Sequence, residues 1–127
     1  MYLVDSDILI NFLKGKKDEV ELIKKLQKES FYISIISVGE ILEGLLETKN
    51  TKKLVSFKEL LKTVTTINID FPIIEKFASV RKSLRQKGLL IGNFDLLIAS
   101  SCLTHDLILL TKNVSHFKRI SGLKIYL

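Results

Sequence analysis

The sequence predicts an α/β fold, a mostly parallel central sheet of about five short strands with helices on both faces. Two observations predict it. Short apolar, β-branched runs alternate with amphipathic helical stretches along the whole chain. An acidic or amide residue also stands where a strand ends or a helix begins in four segments, Tyr2–Asp7, Ser37–Glu40, Ile91–Asp95 and Leu110–Asn113. No internal repeat, low-complexity tract or linker interrupts the pattern, so residues 1–127 read as one domain.

The elements follow in order. Tyr2–Val4 is a short apolar run, the first strand. Asp5 to Asn11 starts a helix with Asp5 or Asp7 as its cap, and turns Ile8, Leu9, Phe12 and Leu13 inward. Gly15 and the lysines after it break that helix. Asp18–Glu29 spaces Val20, Ile23 and Leu26 as an amphipathic helix, and the β-branched and aromatic run Phe31–Ile36 reads as the second strand. Ser37–Glu40 opens a helix to about Thr48, with Ile41, Leu42, Leu45 and Leu46 on its apolar face. Thr51–Thr63 is a further helix, and the Glu47–Asn50 loop makes the two a helical hairpin. Val64–Ile69 is the third strand. Pro72 suits a first helical turn, Ile73, Phe77, Val80 and Leu84 carry the helix inward, and Gly88 ends it. Asn93 or a neighbour starts a helix to His105, Leu107–Leu110 is a buried strand, Val114–Ile120 a short turn or helix, and Lys124–Leu127 an edge strand.

Composition narrows the function. A hydrophobic fraction of 46% and a charged fraction of 27% are those of an ordinary globular domain. No apolar run reaches the ~18 residues of a membrane span, and no basic stretch followed by an apolar one opens the chain. A cytoplasmic protein is therefore expected. The single Cys102 sits in an apolar run and reads as a small buried hydrophobe. Twenty basic residues against 14 acidic ones give a formal charge of +6. A basic protein with acids gathered in one crevice would attract a polyanion, which favours nucleic acid over a neutral small molecule.

In an open parallel sheet, residues just beyond the carboxyl ends of the strands converge on one crevice. Carboxylates there, without a cysteine ligand or a nearby histidine, make a hard-oxygen site suited to Mg²⁺ or Mn²⁺. Each acid also has a plain structural reading. Asp5 and Asp7 can cap the first helix, Ser37-Val-Gly-Glu40 fits a capping box, and Asp95 suits the first turn of a helix. His105 reads as a cation at a helix C-terminus and His116 as a surface histidine.

Taken together and in order, four segments resemble the PIN-domain family, and more closely its VapC-type toxin ribonucleases. They are Leu3-Val-Asp5-Ser-Asp7-Ile-Leu-Ile, Ile36-Ser-Val-Gly-Glu40-Ile-Leu-Glu-Gly, Ile91-Gly-Asn-Phe-Asp95-Leu-Leu-Ile-Ala and Leu109-Leu-Thr-Lys-Asn113-Val-Ser-His-Phe, closing on Ile120-Ser-Gly-Leu. The resemblance implies a metal-dependent endoribonuclease whose acidic triad is Asp5, Glu40 and Asp95, with Asp5 and Asp95 the direct ligands of Mg²⁺ or Mn²⁺ and Glu40 binding directly or through water. Asn113 falls at the family's fourth polar position, where an aspartate is common, and Asn93 stands where many relatives carry an acid. These amides add no charge, which favours one tightly held ion over two. Ser6 has an auxiliary role beside Asp5, and Arg81, Arg85, Lys112 and Arg119 are candidate contacts to the nucleic-acid backbone. The resemblance further implies cleavage of a structured RNA such as tRNA or rRNA to 5′-phosphate and 3′-hydroxyl ends, a small cognate antitoxin, and a homodimer.

Two alternatives stay open on the residues alone. Leu3-Val-Asp5-Ser-Asp7 also fits the D-x-D strand end of haloacid-dehalogenase-like phosphatases, in which the first aspartate is the nucleophile. The amides at Asn93 and Asn113 leave room for a non-catalytic PIN-like RNA-binding module.

Overall fold

The computed structural model describes residues 1–126. The elements run β1 (Tyr2–Val4), α1 (Ser6–Leu13), α2 (Lys17–Gln27), β2 (Tyr32–Ser34), α3 (Ile35–Glu47), α4 (Thr51–Leu61), β3 (Thr65–Ile67), α5 (Phe71–Gln86), α6 (Asn93–His105), β4 (Ile108–Leu110), α7 (Val114–Phe117) and β5 (Ile125–Tyr126). The five strands form one sheet in the order β3-β2-β1-β4-β5, and every pairing is parallel. The predicted α/β architecture is therefore correct, with the sheet wholly rather than mostly parallel. Of the expected strand Lys124–Leu127, Leu127 lies outside the described residues.

Alternation along the strands builds two cores. Leu3 and Leu109 point to one face of the sheet, Val4 and Leu110 to the other, as the two-residue side-chain period requires. The Val4 face packs against Ile8, Leu9, Ile23, Leu26, Val38, Ile41, Phe57 and Leu60 of helices α1 to α4. On the opposite face, Leu84, Leu96, Ile98, Ala99 and Phe117 of α5, α6 and α7 cover Leu3 and Leu109. Cys102 belongs to that second core, where burial pushes its thiol up to about 12. It is a packing residue and no thiolate ligand.

Several boundaries shift for local reasons. The second strand stops at Ser34 rather than Ile36, because the Ser34 hydroxyl accepts the Ile36 N–H at 3.1 Å and caps α3 three residues before Ser37. Ile35 and Ile36 are therefore helical in spite of their β-branched side chains. Asn50 caps α4 and Asp70 caps α5, whose first turn contains Pro72. Gly88, at φ +68°, follows the end of α5 in the left-handed conformation that an L side chain avoids. Among the described residues no helix is long and apolar enough to cross a membrane.

Topology fixes where chemistry belongs. β1 lies between β2 and β4, so the chain leaves β1 toward one side of the sheet and β4 continues it on the other. The crevice of such a sheet opens at that reversal, beyond the carboxyl ends of β1 and β4. Asp5 and Thr111 are the first residues past those two ends.

Candidate active site

Asp5 sits at the reversal with its backbone N–H bonded to the Leu110 carbonyl at 2.9 Å. Its carboxylate is held on both oxygens. Oδ1 accepts the Ser6 N–H at 2.8 Å, so Asp5 does cap α1, and Oδ2 accepts the Thr111 hydroxyl at 2.7 Å. Only 4% of the residue is exposed. Burial pushes its carboxyl up to about 6, with repulsion from Asp7 and Asp95 adding to the rise and the Thr111 and Ser6 bonds opposing it. A fold that needed only a helix cap could use a serine. This one keeps a buried anion among other anions.

The remaining acids gather around it. Asp7, in the first turn of α1, accepts the Lys112 N–H at 2.9 Å and lies 3.4 Å from the Thr111 hydroxyl. Glu40 accepts the Ser6 hydroxyl at 3.3 Å, and burial raises its carboxyl above the usual range, as do Asp95 and Asp7 nearby. The capping-box reading of Glu40 fails. Ser34 caps α3, Ser37 is buried within the helix with its hydroxyl unbonded, and Glu40 lies more than a turn inside. Its position therefore needs another explanation than capping.

Asp95 stands in the first turn of α6, as the sequence suggests. Its Oδ2 lies 3.4 Å from Nδ1 of His116, which is also 3.0 Å from the Asn113 amide nitrogen. This corrects two expectations. A histidine does border the acids, and His116 is more than a bystander on the surface. Asn113 directs its side-chain amide to His116 and its backbone N–H to the Thr111 hydroxyl at 3.0 Å.

Thr111 is the residue that sequence reasoning passed over. It is fully buried and its hydroxyl meets Asp5, Asp7 and the Asn113 N–H, joining both strand ends in one hydrogen-bonded cluster. The available signal was its place, a hydroxyl residue directly after an apolar strand at the reversal of the sheet.

The four basic candidates are distributed differently. Arg81 donates from Nε to the Asn93 side-chain oxygen at 3.1 Å, and Arg119 donates to the Leu90 carbonyl at 3.2 Å. Both tie down the approach to α6 and hence to Asp95. Arg85 is exposed in the last turn of α5. The Lys112 ammonium is bound to Glu19 of α2.

The donor set is one of carboxylate and hydroxyl oxygens, which suits a hard divalent cation. Burial and mutual repulsion raise the proton affinity of Asp5 and Glu40, and a cation would relieve the same repulsion. Among the described residues, however, no three His, Cys, Asp or Glu side chains converge tightly enough to hold an ion as they stand. The chemistry fits, and the side chains must close further around a bound ion.

Comparison with known proteins assigns the family. The PIN domain family model matches residues 2–123. The chain is 37% identical over 126 residues to Ribonuclease VapC1 of Methanocaldococcus jannaschii, covering 98% of this chain and 85% of that one. It is 34% identical to Ribonuclease VapC1 of Rickettsia felis, covering 97% and 92%. Among solved structures, VapBC2 from Rickettsia felis, bound to a DNA fragment from its promoter, superposes with a TM-score of 0.89 at 28% identity, covering 98% of this chain and 96% of that one. This chain belongs to the PIN-domain family, among its VapC ribonucleases. The phosphatase alternative rested on one motif and is overturned by this match along nearly the whole chain.

Proposed function

We propose that this protein is a metal-dependent endoribonuclease and the toxin of a toxin–antitoxin pair. The observation that carries the proposal is the buried Asp5 carboxylate, gathered with Asp7, Glu40 and Asp95 at the reversal of a parallel sheet in a chain of net charge +6. Asp5 and Asp95 would hold Mg²⁺ or Mn²⁺, with Glu40 directly or through water. Such an ion lowers the pKa of a water and offsets charge on phosphate oxygens.

The chain's own residues supply the rest. Thr111 and the Ser6 N–H fix the Asp5 carboxylate in one orientation, and Ser6 steadies Glu40. His116 and Asn113 border Asp95 at the exposed side of the cluster, where a phosphodiester would enter. Arg85 and the wider lysine surface would attract the RNA backbone. We propose a structured RNA, tRNA or rRNA, cut to 5′-phosphate and 3′-hydroxyl ends in the cytoplasm.

A small antitoxin is the proposed partner, as the VapBC complex with which this chain superposes is a toxin–antitoxin assembly. Ile10, Leu13, Ile41 and Leu45 line an apolar groove to which Glu40, Lys14 and Lys53 also contribute. It suits an amphipathic segment that ends in an arginine paired with the acids. A homodimer is proposed as the assembly of the toxin itself.

Sequencing RNA 5′ ends after brief expression tests the activity. Wild type should generate new 5′-phosphate ends at one or a few RNA sites, and Asp95→Asn should generate none. The same ends from both proteins would refute the nuclease reading and leave the non-catalytic module.

A further inference from the structure

Among the described residues, Glu19 is the one acid buried away from the cluster described above. Its side chain is 5% exposed, it accepts the Asn11 side-chain N–H at 2.9 Å, and it is bound to the Lys112 ammonium. Lys112 itself is 54% exposed, so solvent offers its ammonium an alternative. A helix of the Val4 face thus reaches across to the loop that follows β4.

That loop is the one that organises the acids. Within it Thr111 bonds Asp5, the Lys112 N–H bonds Asp7, and Asn113 meets His116. Lys112 therefore faces two ways, with its backbone on the acid cluster and its side chain on Glu19. Asp7 lies close enough for its charge to act on the ammonium. On a flexible four-carbon stem, an ammonium without Glu19 would be drawn to Asp7 as well as to Asp18, the two other carboxylates whose charge acts on it.

We propose that Glu19 is a positioning residue for the active site, clasping Lys112 so that the 111–113 loop is fixed and the ammonium is withheld from the acids that receive the divalent ion. This inference rests on the metal reading of the cluster. Unclasped, Lys112 would neutralise Asp7 and compete with the cation for the same negative charge. Outer-shell partners of this kind typically change metal affinity by about 10- to 100-fold when removed.

The test compares wild type, Glu19→Met and Glu19→Met/Lys112→Met as full-length proteins. Methionine keeps the volume of the buried side chain, and replacing both members leaves no unpaired ion. Calorimetric titration with Mn²⁺ should show affinity weakened by about tenfold or more in Glu19→Met and largely recovered in the double variant. Hydrogen exchange of the Lys112 amide in metal-free protein should be faster in Glu19→Met than in wild type, with exchange in the sheet unchanged. Should Glu19→Met fail to fold, Glu19→Gln removes the charge and retains an acceptor, and the same weakening is expected of it.

Wild-type Mn²⁺ affinity in Glu19→Met would overturn the proposal, as would a double variant no better than the single one. If wild type itself binds no Mn²⁺, the metal reading fails, and the amide exchange alone decides the clasp: unchanged exchange refutes it.

Discussion

Asp5→Asn is expected to abolish RNA cleavage and, at neutral pH, to make the metal-free protein more stable than wild type. Asparagine caps a helix as well as aspartate does and can still accept the Ser6 N–H, so the fold keeps its bond at the start of α1. What disappears is a buried negative charge. Burial raises the Asp5 carboxyl from 3.8 to about 6, so the folded state binds this proton more tightly than the unfolded chain does. Below about pH 4 both states are protonated and the site costs nothing. Above about pH 6 both are ionised, and the folded state is weakened by about 3 kcal/mol. Wild-type metal-free protein should therefore lose stability as pH rises from about 4 to 6, a loss that Asp5→Asn lacks. Urea unfolding at several pH values measures the difference. Parallel pH curves for the two proteins would show that Asp5 is not under this strain.

Glu40→Gln is expected to cut activity by orders of magnitude while the melting temperature holds or rises. Glutamine retains an acceptor for the Ser6 hydroxyl and lies more than a turn inside α3, where it has no cap to lose. The carboxyl of Glu40 is already raised by burial and by Asp95 and Asp7, so losing its charge relieves repulsion. Only a function that needs the charge suffers. Near-normal cleavage of the target RNA by this variant would remove Glu40 from the site.

Much of this architecture was legible because the sheet is buried on both faces. Leu3-Val4 and Leu109-Leu110 are continuous apolar pairs, and an acid or hydroxyl after such a pair marks a strand end facing the crevice. Asp5 is legible from that signal, and Asp95 from the acid expected in the first turn of a helix. Ile35 and Ile36 were misread because β-branching is a weak local preference, and the cap supplied by Ser34 outweighs it. Ser37 resembles a cap only for a helix that begins after Ile36, and with Ser34 as the cap it lies inside α3.

Other features depend on partners distant in the sequence. Glu19 occupies a charged, amphipathic helix on which any acid would be expected to face water, and its burial goes with its bonds to Lys112, from the far end of the chain, and to Asn11 of α1. Thr111 carries no charge and His116 stands outside the acidic motifs. Both matter through neighbours that are distant in sequence and adjacent in space.

Melting curves of wild type and Asp95→Asn, each with EDTA and with Mn²⁺, test the claim that the gathered acids form a divalent-metal site. Wild type should gain about RT ln(1 + [L]/Kd), roughly 2.7 kcal/mol at a hundredfold excess over Kd, with a matching rise in Tm. Asp95→Asn should start from a Tm at or above that of metal-free wild type, because one repelling carboxylate is gone, and should gain much less from Mn²⁺. A Mn²⁺ shift absent from both proteins, or equal in both, would contradict a metal site built on Asp5, Glu40 and Asp95.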